Sequence, residues 1–133
     1  GFMTTELLAA ALLDMELHNL TDTDNLNVVA FEKETMDKLG LIPEIAPRYR
    51  ATYFSHIIGG YAAGYYSYLW AEVLDTDAFE AFKEHGVFDK NTADSFRKNI
   101  LEKGGTEDPM TLYRGFRGAD PSLEPLLKNR GLK

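Results

Sequence analysis

The chain has 133 residues, of which 44% are apolar and 26% are charged, and its formal net charge is −7. This composition indicates about one globular domain and excludes disordered, collagen-like and coiled-coil proteins. The acidic balance, with 21 Asp and Glu against 14 Lys and Arg, opposes binding to phosphate backbones, so we expect no nucleic-acid partner.

The amino terminus, Gly-Phe-Met, lacks the basic start and the apolar core of a signal peptide. We expect Gly1 to be the remnant of a removed tag or of a cut within a longer gene product. The longest apolar stretches, residues 7–13 and 61–66, are far shorter than the roughly 18 to 20 residues of a membrane span, so we expect no membrane partner.

Cysteine is absent, which excludes disulfides and thiolate metal ligands and fits a reducing compartment.

The first part of the chain predicts two helices. Thr4 or Thr5 can cap a helix over residues 5–18. Its apolar positions recur at helical spacing and define a stripe: Leu8, Ala11, Leu12 and Met15. A second helix is predicted over residues 25–39, and Gly40 is expected to end it. Its stripe consists of four residues: Val28, Phe31, Thr35 and Leu39.

An irregular connection and two more helices are predicted next. Residues 40–50 contain two prolines and show no sustained period, which is typical of a loop. A helical pattern then covers residues 61–74. Asp75-Thr76-Asp77 is expected to cap a further short helix over residues 78–85, closed by Gly86.

Three more helix starts are predicted in the last third of the chain, from acceptor residues that suit an N-cap. The three starts are Asp89 or Asn91, Asp108-Pro109, and Asp120-Pro121. The corresponding helices are expected to end before Gly104-Gly105, Gly118 and Gly131, in that order. Pro125 is expected to weaken the last helix. No segment alternates as a strand does, so the sequence predicts an all-α protein of six or seven short helices without an internal repeat.

The three histidines, His18, His56 and His85, are scattered, and none belongs to a His-Glu-x-x-His pair. The sequence therefore predicts no metal ligands in this chain.

Residues 53–70 are the most informative segment, because six of these eighteen residues are Tyr or Trp. On a helix, Tyr61, Tyr65 and Tyr68 would lie within about 60° of one another and share a face. Such a stripe can simply pack a core. Alternatively, Gly59-Gly60 removes side chains from the approach to the helix, and phenol and imidazole donors beside it would suit a developing oxyanion.

These residues resemble a motif of a known family. His56-x-x-Gly-Gly-Tyr-x-Ala-Gly-Tyr-Tyr-x-Tyr-Leu-Trp70 resembles the thimet-oligopeptidase family of zinc metallopeptidases. The likeness continues along the chain in residues 2–10, in Phe96-Arg97-x3-Leu101, in residues 104–110 and in Phe116-Arg117-Gly118. The ending, residues 126–132, is most similar to the bacterial peptidyl-dipeptidase (dipeptidyl carboxypeptidase) branch.

The resemblance implies the carboxy-terminal part of the catalytic domain of such an enzyme, with residues 1–133 as a single helical fragment. It implies an all-α fold with a deep channel, short peptides as substrates, release of carboxy-terminal dipeptides, and a cytoplasmic location. Zinc would be held by a His-Glu-x-x-His motif and a glutamate that this chain lacks. The fragment alone is expected to bind no zinc and to be inactive, and the upstream part of the domain is its expected partner.

The resemblance also assigns roles to residues. His56, Tyr61 and Tyr68 are expected to be catalytic, because the family's matching donors bind substrate and stabilise the tetrahedral intermediate. Gly59, Gly60 and Tyr65 are expected to bind substrate.

A different interpretation of the same sequence stays open. The chain could be a stand-alone helical module whose aromatic face binds a peptide or a partner helix without catalysis. Self-association through an exposed apolar face is a further possibility for a truncated chain.

Overall fold

The computed structural model describes all 133 residues, from Gly1 to Lys133. It contains seven α-helices and no β-strand, so the prediction of an all-α fold is confirmed. No helix combines the length and the apolar character that crossing a bilayer would require.

The helices are α1 (Phe2–His18), α2 (Val28–Lys38), α3 (Ser55–Ile58), α4 (Ser67–His85), α5 (Lys90–Phe96), α6 (Pro109–Arg117) and α7 (Glu124–Asn129). One turn of 3-10 helix covers Ala51–Tyr53, and a π-helical stretch over Arg97–Leu101 continues α5. The chain divides into two compact units, residues 1–70 and 71–133. Whether residues 1–133 form a single fragment of a domain stays a prediction.

The core of the first unit is built on small side chains of α1. Ala10 and Ala11 pack with Phe54, Ile57 and Tyr65. Three residues of the predicted stripe are instead 38% to 42% exposed: Leu8, Leu12 and Met15. That part of the prediction was wrong, because apolar residues occur all around α1 and their spacing alone could not select the buried face.

The start of α1 also differs from the prediction. The cap expected at Thr4 or Thr5 was wrong, since the helix begins at Phe2 with Gly1 in the N-cap position. The Thr5 hydroxyl donates to the Gly1 carbonyl at 3.2 Å, so it lies within the first turn of the helix and not before it.

The second helix begins later than predicted. Asn27 is the N-cap of α2, because its side chain accepts the N–H of Ala30 at 3.1 Å. The predicted end is confirmed, since Gly40 has a φ of +66°, a left-handed conformation that glycine adopts without steric cost.

A single helix, α4, replaces two predicted ones. Residues 61–66 form turns, and the helix then runs without a break from Ser67 to His85. The predicted cap at Asp75-Thr76-Asp77 was wrong, because the Thr76 hydroxyl donates to the Glu72 carbonyl at 2.6 Å. Residues that usually cap helices are tolerated inside one when their side chains find partners there.

Two N-caps of the second unit are confirmed. The Asp89 side chain accepts the N–H of Thr92 at 2.7 Å, and the Asp108 side chain accepts the N–H of Thr111 at 2.9 Å. Both bonds satisfy backbone donors that a helix start leaves without an intrahelical partner.

The last helix was predicted incorrectly. It begins at Glu124 and not at Pro121, so Pro125 lies in its first turn. A proline there removes an N–H that has no intrahelical acceptor, and the expected weakening by Pro125 was therefore wrong.

The second unit has an apolar core and a separate cluster of rings. The core residues are Val73, Ala78, Ala81, Leu112 and Leu126. The rings of Phe82, Phe96 and Phe116 lie with centroids 5.2 to 6.2 Å apart, which is the range of favourable aromatic pairs.

A polar network, buried at Tyr113 and Asp77, joins α4 to α6. The Tyr113 hydroxyl donates to Asp77 at 2.5 Å, and Arg117 donates two bonds to Glu84 at 2.7 and 3.0 Å. Burial, with the hydrogen bond to the Asp77 carboxylate as the next cause, raises the pKa of Tyr113 far above its usual value. The neutral phenol therefore satisfies a carboxylate that is only 4% exposed.

Replacing this phenol tests the network. Because the folded chain holds the Tyr113 proton more tightly than the unfolded chain, stability should fall as pH rises beyond about 10. Tyr113→Phe should make that fall shallower. It should also lower the free energy of unfolding at pH 7 by about 1 to 3 kcal/mol, since Asp77 loses a donor. Urea unfolding between pH 7 and pH 11 measures both effects.

The matched control is Tyr53→Phe, because Tyr53 is 61% exposed. This variant should leave the pH dependence as in the wild type. An unchanged slope in Tyr113→Phe would contradict the role given to the buried phenol.

Candidate functional site

The candidate site is built on residues 51–66, here called the aromatic loop. It contains the 3-10 turn, the short helix α3, Gly59-Gly60 and a series of turns that lead into α4. The His56 carbonyl accepts the N–H groups of Gly59 at 3.3 Å and Tyr61 at 3.1 Å. These bonds fold the loop tightly just after the histidine.

The aromatic loop and the start of α4 bring the three predicted catalytic residues together. The His56 ring centroid lies 5.9 Å from that of Tyr61 and 6.2 Å from that of Tyr68. The rings of Tyr61 and Tyr68 stack at 5.2 Å with an angle of 17° between their planes. Their proximity is a structural fact, whereas their catalytic roles stay predictions.

The backbone that achieves this differs from the expected one. Tyr61 and Tyr65 do not share a helix face with Tyr68, because α4 begins only at Ser67. That part of the prediction was wrong. The turns of residues 61–66 nevertheless place the three phenols side by side.

The three phenols differ in exposure. Tyr61 is 39% exposed and Tyr68 is 42% exposed, but Tyr65 is only 3% exposed. The Tyr65 ring packs 4.9 Å from Phe54 and 5.2 Å from Tyr68. The buried ring of Tyr65 therefore packs between Phe54 and Tyr68. Its role in substrate binding stays a prediction.

His56 is half-buried and carries an unusual nitrogen. Its Nδ1 atom is buried and has no hydrogen-bond partner, while the ring of Tyr49 lies 4.8 Å away. An unpaired buried polar atom costs free energy, and native proteins rarely keep one without a reason. This nitrogen has donor or acceptor capacity that the chain itself does not use.

The surroundings raise the pKa of two of the phenols, Tyr65 and Tyr68. The Tyr61 hydroxyl, as a hydrogen-bonding neighbour, raises the pKa of Tyr68, and desolvation acts in the same direction. Burial raises the pKa of Tyr65, with Arg48 opposing it. Neutral donors of this kind stabilise an oxygen atom that gains negative charge without adding a charge of their own.

Two exposed glycines follow α3 directly. Gly59 and Gly60 are both exposed, and a Cβ atom placed on Gly60 would meet no atom within 4 Å. Steric crowding in the chain itself therefore does not require glycine at residue 60. Their contribution to substrate binding stays a prediction.

Two acidic residues that the sequence analysis missed hold the aromatic loop. Asp14 is fully buried and accepts N–H groups of the loop, and Glu32, 3% exposed, does the same. The sequence carried no local signal for them, because an acid within a helix ordinarily faces solvent.

The histidines do not assemble a metal site. Nowhere in the chain do three His, Asp or Glu side chains come together as metal ligands. The residues present therefore do not provide a ligand set for the zinc that the resemblance implies.

Comparison with known proteins gives the family. The model of Peptidase family M3 matches residues 1–132. The chain is 45% identical to dipeptidyl carboxypeptidase of Escherichia coli (strain K12) over 139 residues, an alignment that covers 99% of the chain and 20% of that protein.

Two other relatives are similarly informative. Oligopeptidase A of Escherichia coli (strain K12) is 57% identical over 81 residues, which are 60% of the chain and 12% of that protein. Probable cytosolic oligopeptidase A of Arabidopsis thaliana is 41% identical over 138 residues, covering 99% of the chain and 20% of that protein. The chain spans at most about a fifth of the length of these curated relatives. Since the family's pattern accounts for the chain from residue 1 to residue 132, the chain belongs to Peptidase family M3.

Proposed function

We propose that this chain is the carboxy-terminal part of the catalytic domain of a zinc metallopeptidase that hydrolyses short peptides. The chain's own contribution is a set of hydrogen-bond donors directed at the peptide carbonyl. The cluster of His56, Tyr61 and Tyr68 carries this proposal, because two of its phenols are exposed and stacked. Membership of a peptidase family supports peptide hydrolysis, and coverage of a fifth of the relatives supports a larger parent enzyme.

The chemistry requires donors of this kind. Attack on a peptide bond places negative charge on the carbonyl oxygen, and catalysis needs contacts that are stronger in that state than with the substrate. A bound zinc ion, held outside these residues, would polarise the carbonyl and activate water. The Tyr61 and Tyr68 hydroxyls would donate to the charged oxygen while remaining neutral themselves.

The other site residues have supporting roles. His56, whose ring lies beside Tyr61 and Tyr68, would bind the substrate backbone. Gly59 and Gly60 would let the peptide approach and would allow the aromatic loop to close on it. Tyr65 would pack against the Tyr68 ring, fix its position and shape the substrate site.

The proposed enzyme releases dipeptides from the carboxy terminus of its substrates. This finer assignment rests on the likeness to dipeptidyl carboxypeptidase over 99% of the chain and on the ending, residues 126–132. A cytoplasmic location is proposed alongside it, which the name of the cytosolic relative supports. The partner of the chain is the rest of the catalytic domain.

A stand-alone binding module is the second candidate. Exposed apolar residues of α1 favour it, among them Leu8, Leu12 and Met15, because such a stripe can take up a partner helix or a second copy. The two candidates differ in whether the protein that carries this sequence hydrolyses peptides, and the following substitutions separate them.

Tyr68→Phe tests the donor role. In the complete enzyme it should lower kcat by about 10² to 10³ with little change in KM, because the lost bond forms only in the transition state. Steady-state hydrolysis of a short peptide measures both constants. Tyr66→Phe is the matched control, since Tyr66 is 54% exposed and makes no ring contact with the cluster. An unchanged kcat in Tyr68→Phe would refute the proposed function.

Gly60→Pro tests whether the aromatic loop must move at Gly59-Gly60 during catalysis. A proline restricts its own φ and the conformation of the preceding Gly59, so it should impair closure of the aromatic loop. We expect kcat to fall and KM to rise together by about tenfold or more. Gly60→Ala adds only a Cβ that meets no neighbour and serves as the control. If both constants survive the proline, the loop does not need to move.

A further inference from the structure

Two buried carboxylates on helices hold the aromatic loop at its two ends. Asp14 of α1 is fully buried, and Glu32 of α2 is 3% exposed. Each accepts hydrogen bonds from the backbone of the loop, although each lies far from the loop in sequence. Burial of a charged group is costly unless it is well paired, so such sites require dedicated partners.

Asp14 binds the end of the loop that carries two of the phenols. Its Oδ1 accepts the N–H of Ala63 at 2.9 Å, and its Oδ2 accepts the N–H of Tyr65 at 2.9 Å. Nδ1 of His18 lies 2.9 Å from Oδ1. Both carboxylate oxygens are thus used by the loop, and residues 63 and 65 are fixed relative to α1.

The Ala63 bond stabilises an unfavourable backbone. Ala63 has a φ of +53°, a left-handed conformation that costs free energy for a residue with a Cβ atom. Such a conformation persists only where the surroundings determine it. The carboxylate of Asp14 supplies that constraint directly beside Tyr61 and Tyr65.

Glu32 binds the other end of the loop. Its Oε2 accepts the N–H of Ala51 at 2.7 Å, and its Oε1 accepts a charge-assisted bond from Nε of Arg50. Ala51 begins the 3-10 turn that precedes His56. Gly59 and Gly60 lie between the two anchored ends.

We propose that Asp14 and Glu32 are positioning residues for the candidate site. They fix the two ends of the aromatic loop and thereby set the distances between His56, Tyr61 and Tyr68. This proposal rests on the function proposed above. Misplacing a reacting group by about 1 Å can cost about 100-fold in rate, so a loosened loop should lower catalysis without loss of the fold.

Hydrogen exchange tests the anchoring independently of activity. In the protein that carries this sequence, Asp14→Asn should speed exchange of the Ala63 or the Tyr65 amide by about tenfold or more, because asparagine keeps one acceptor oxygen and its NH2 group cannot accept the second bond. Glu32→Gln should act in the same way on Ala51. The controls are Glu16→Gln and Glu34→Gln, which alter exposed acids on the same two helices.

Kinetics test the positioning role in the complete enzyme. Asp14→Asn should lower kcat by about 10- to 100-fold while changing KM less. In the Tyr61→Phe background the same substitution should lower kcat by less than about threefold, because the donor beside the Asp14 anchor is already gone. A merely structural role would give equal effects in both backgrounds. If Asp14→Asn does not fold, Glu32→Gln undergoes the same comparison.

The outcomes separate this proposal from the proposed function. Faster amide exchange with a non-additive loss of kcat supports it. Unchanged exchange, additive kinetics, or faster exchange with wild-type kcat would each overturn it, even if Tyr68→Phe is impaired as expected. A fully active Tyr68→Phe enzyme would instead overturn the proposed function, and with it the positioning role, while exchange would still report whether Asp14 anchors the loop.

Discussion

The arrangement of the candidate site depends on the bonds between the Asp14 carboxylate and the amides of Ala63 and Tyr65. They hold a backbone conformation that an alanine does not favour by itself. Because α1 carries Ala10 and Ala11 on the same face, the loop can approach the helix closely enough for a short aspartate side chain to reach it. The small side chains of α1 and the Asp14 carboxylate therefore act together to place the aromatic cluster.

Much of the architecture could be predicted from the sequence, but the boundaries of α4 could not. The N-caps at Asp89 and Asp108 were predictable because a capping bond is local. The cap expected at residues 75–77 failed because Asp77 finds a distant partner, the Tyr113 hydroxyl. Pattern analysis detects the capacity of a side chain to bond, and tertiary contacts decide which bond forms.

The candidate site was also predictable only where its signals are local in the sequence. The spacing of Tyr61 and Tyr68 predicted that they would lie together, and they do, although through turns and not along one helix. Asp14 and Glu32 were not found, because an acid within a helix ordinarily faces solvent and no local pattern marks these two as buried. Asp14 accepts a bond from Ala63, 49 residues further along the chain, and Glu32 accepts one from Ala51, 19 residues further along. Only the folded structure brings the two members of each pair together.

The central claim is that two neutral phenols, held beside an imidazole by an anchored loop, face the carbonyl oxygen of a bound peptide. A crystal structure of the complete enzyme with a phosphinic peptide, whose tetrahedral phosphorus imitates the attacked carbon, tests it most directly. The account predicts the Tyr61 and Tyr68 hydroxyl oxygens at about 2.7 to 3.1 Å from a phosphinyl oxygen. Phenols that point away from the inhibitor, with the oxygen contacted by other donors, would contradict it.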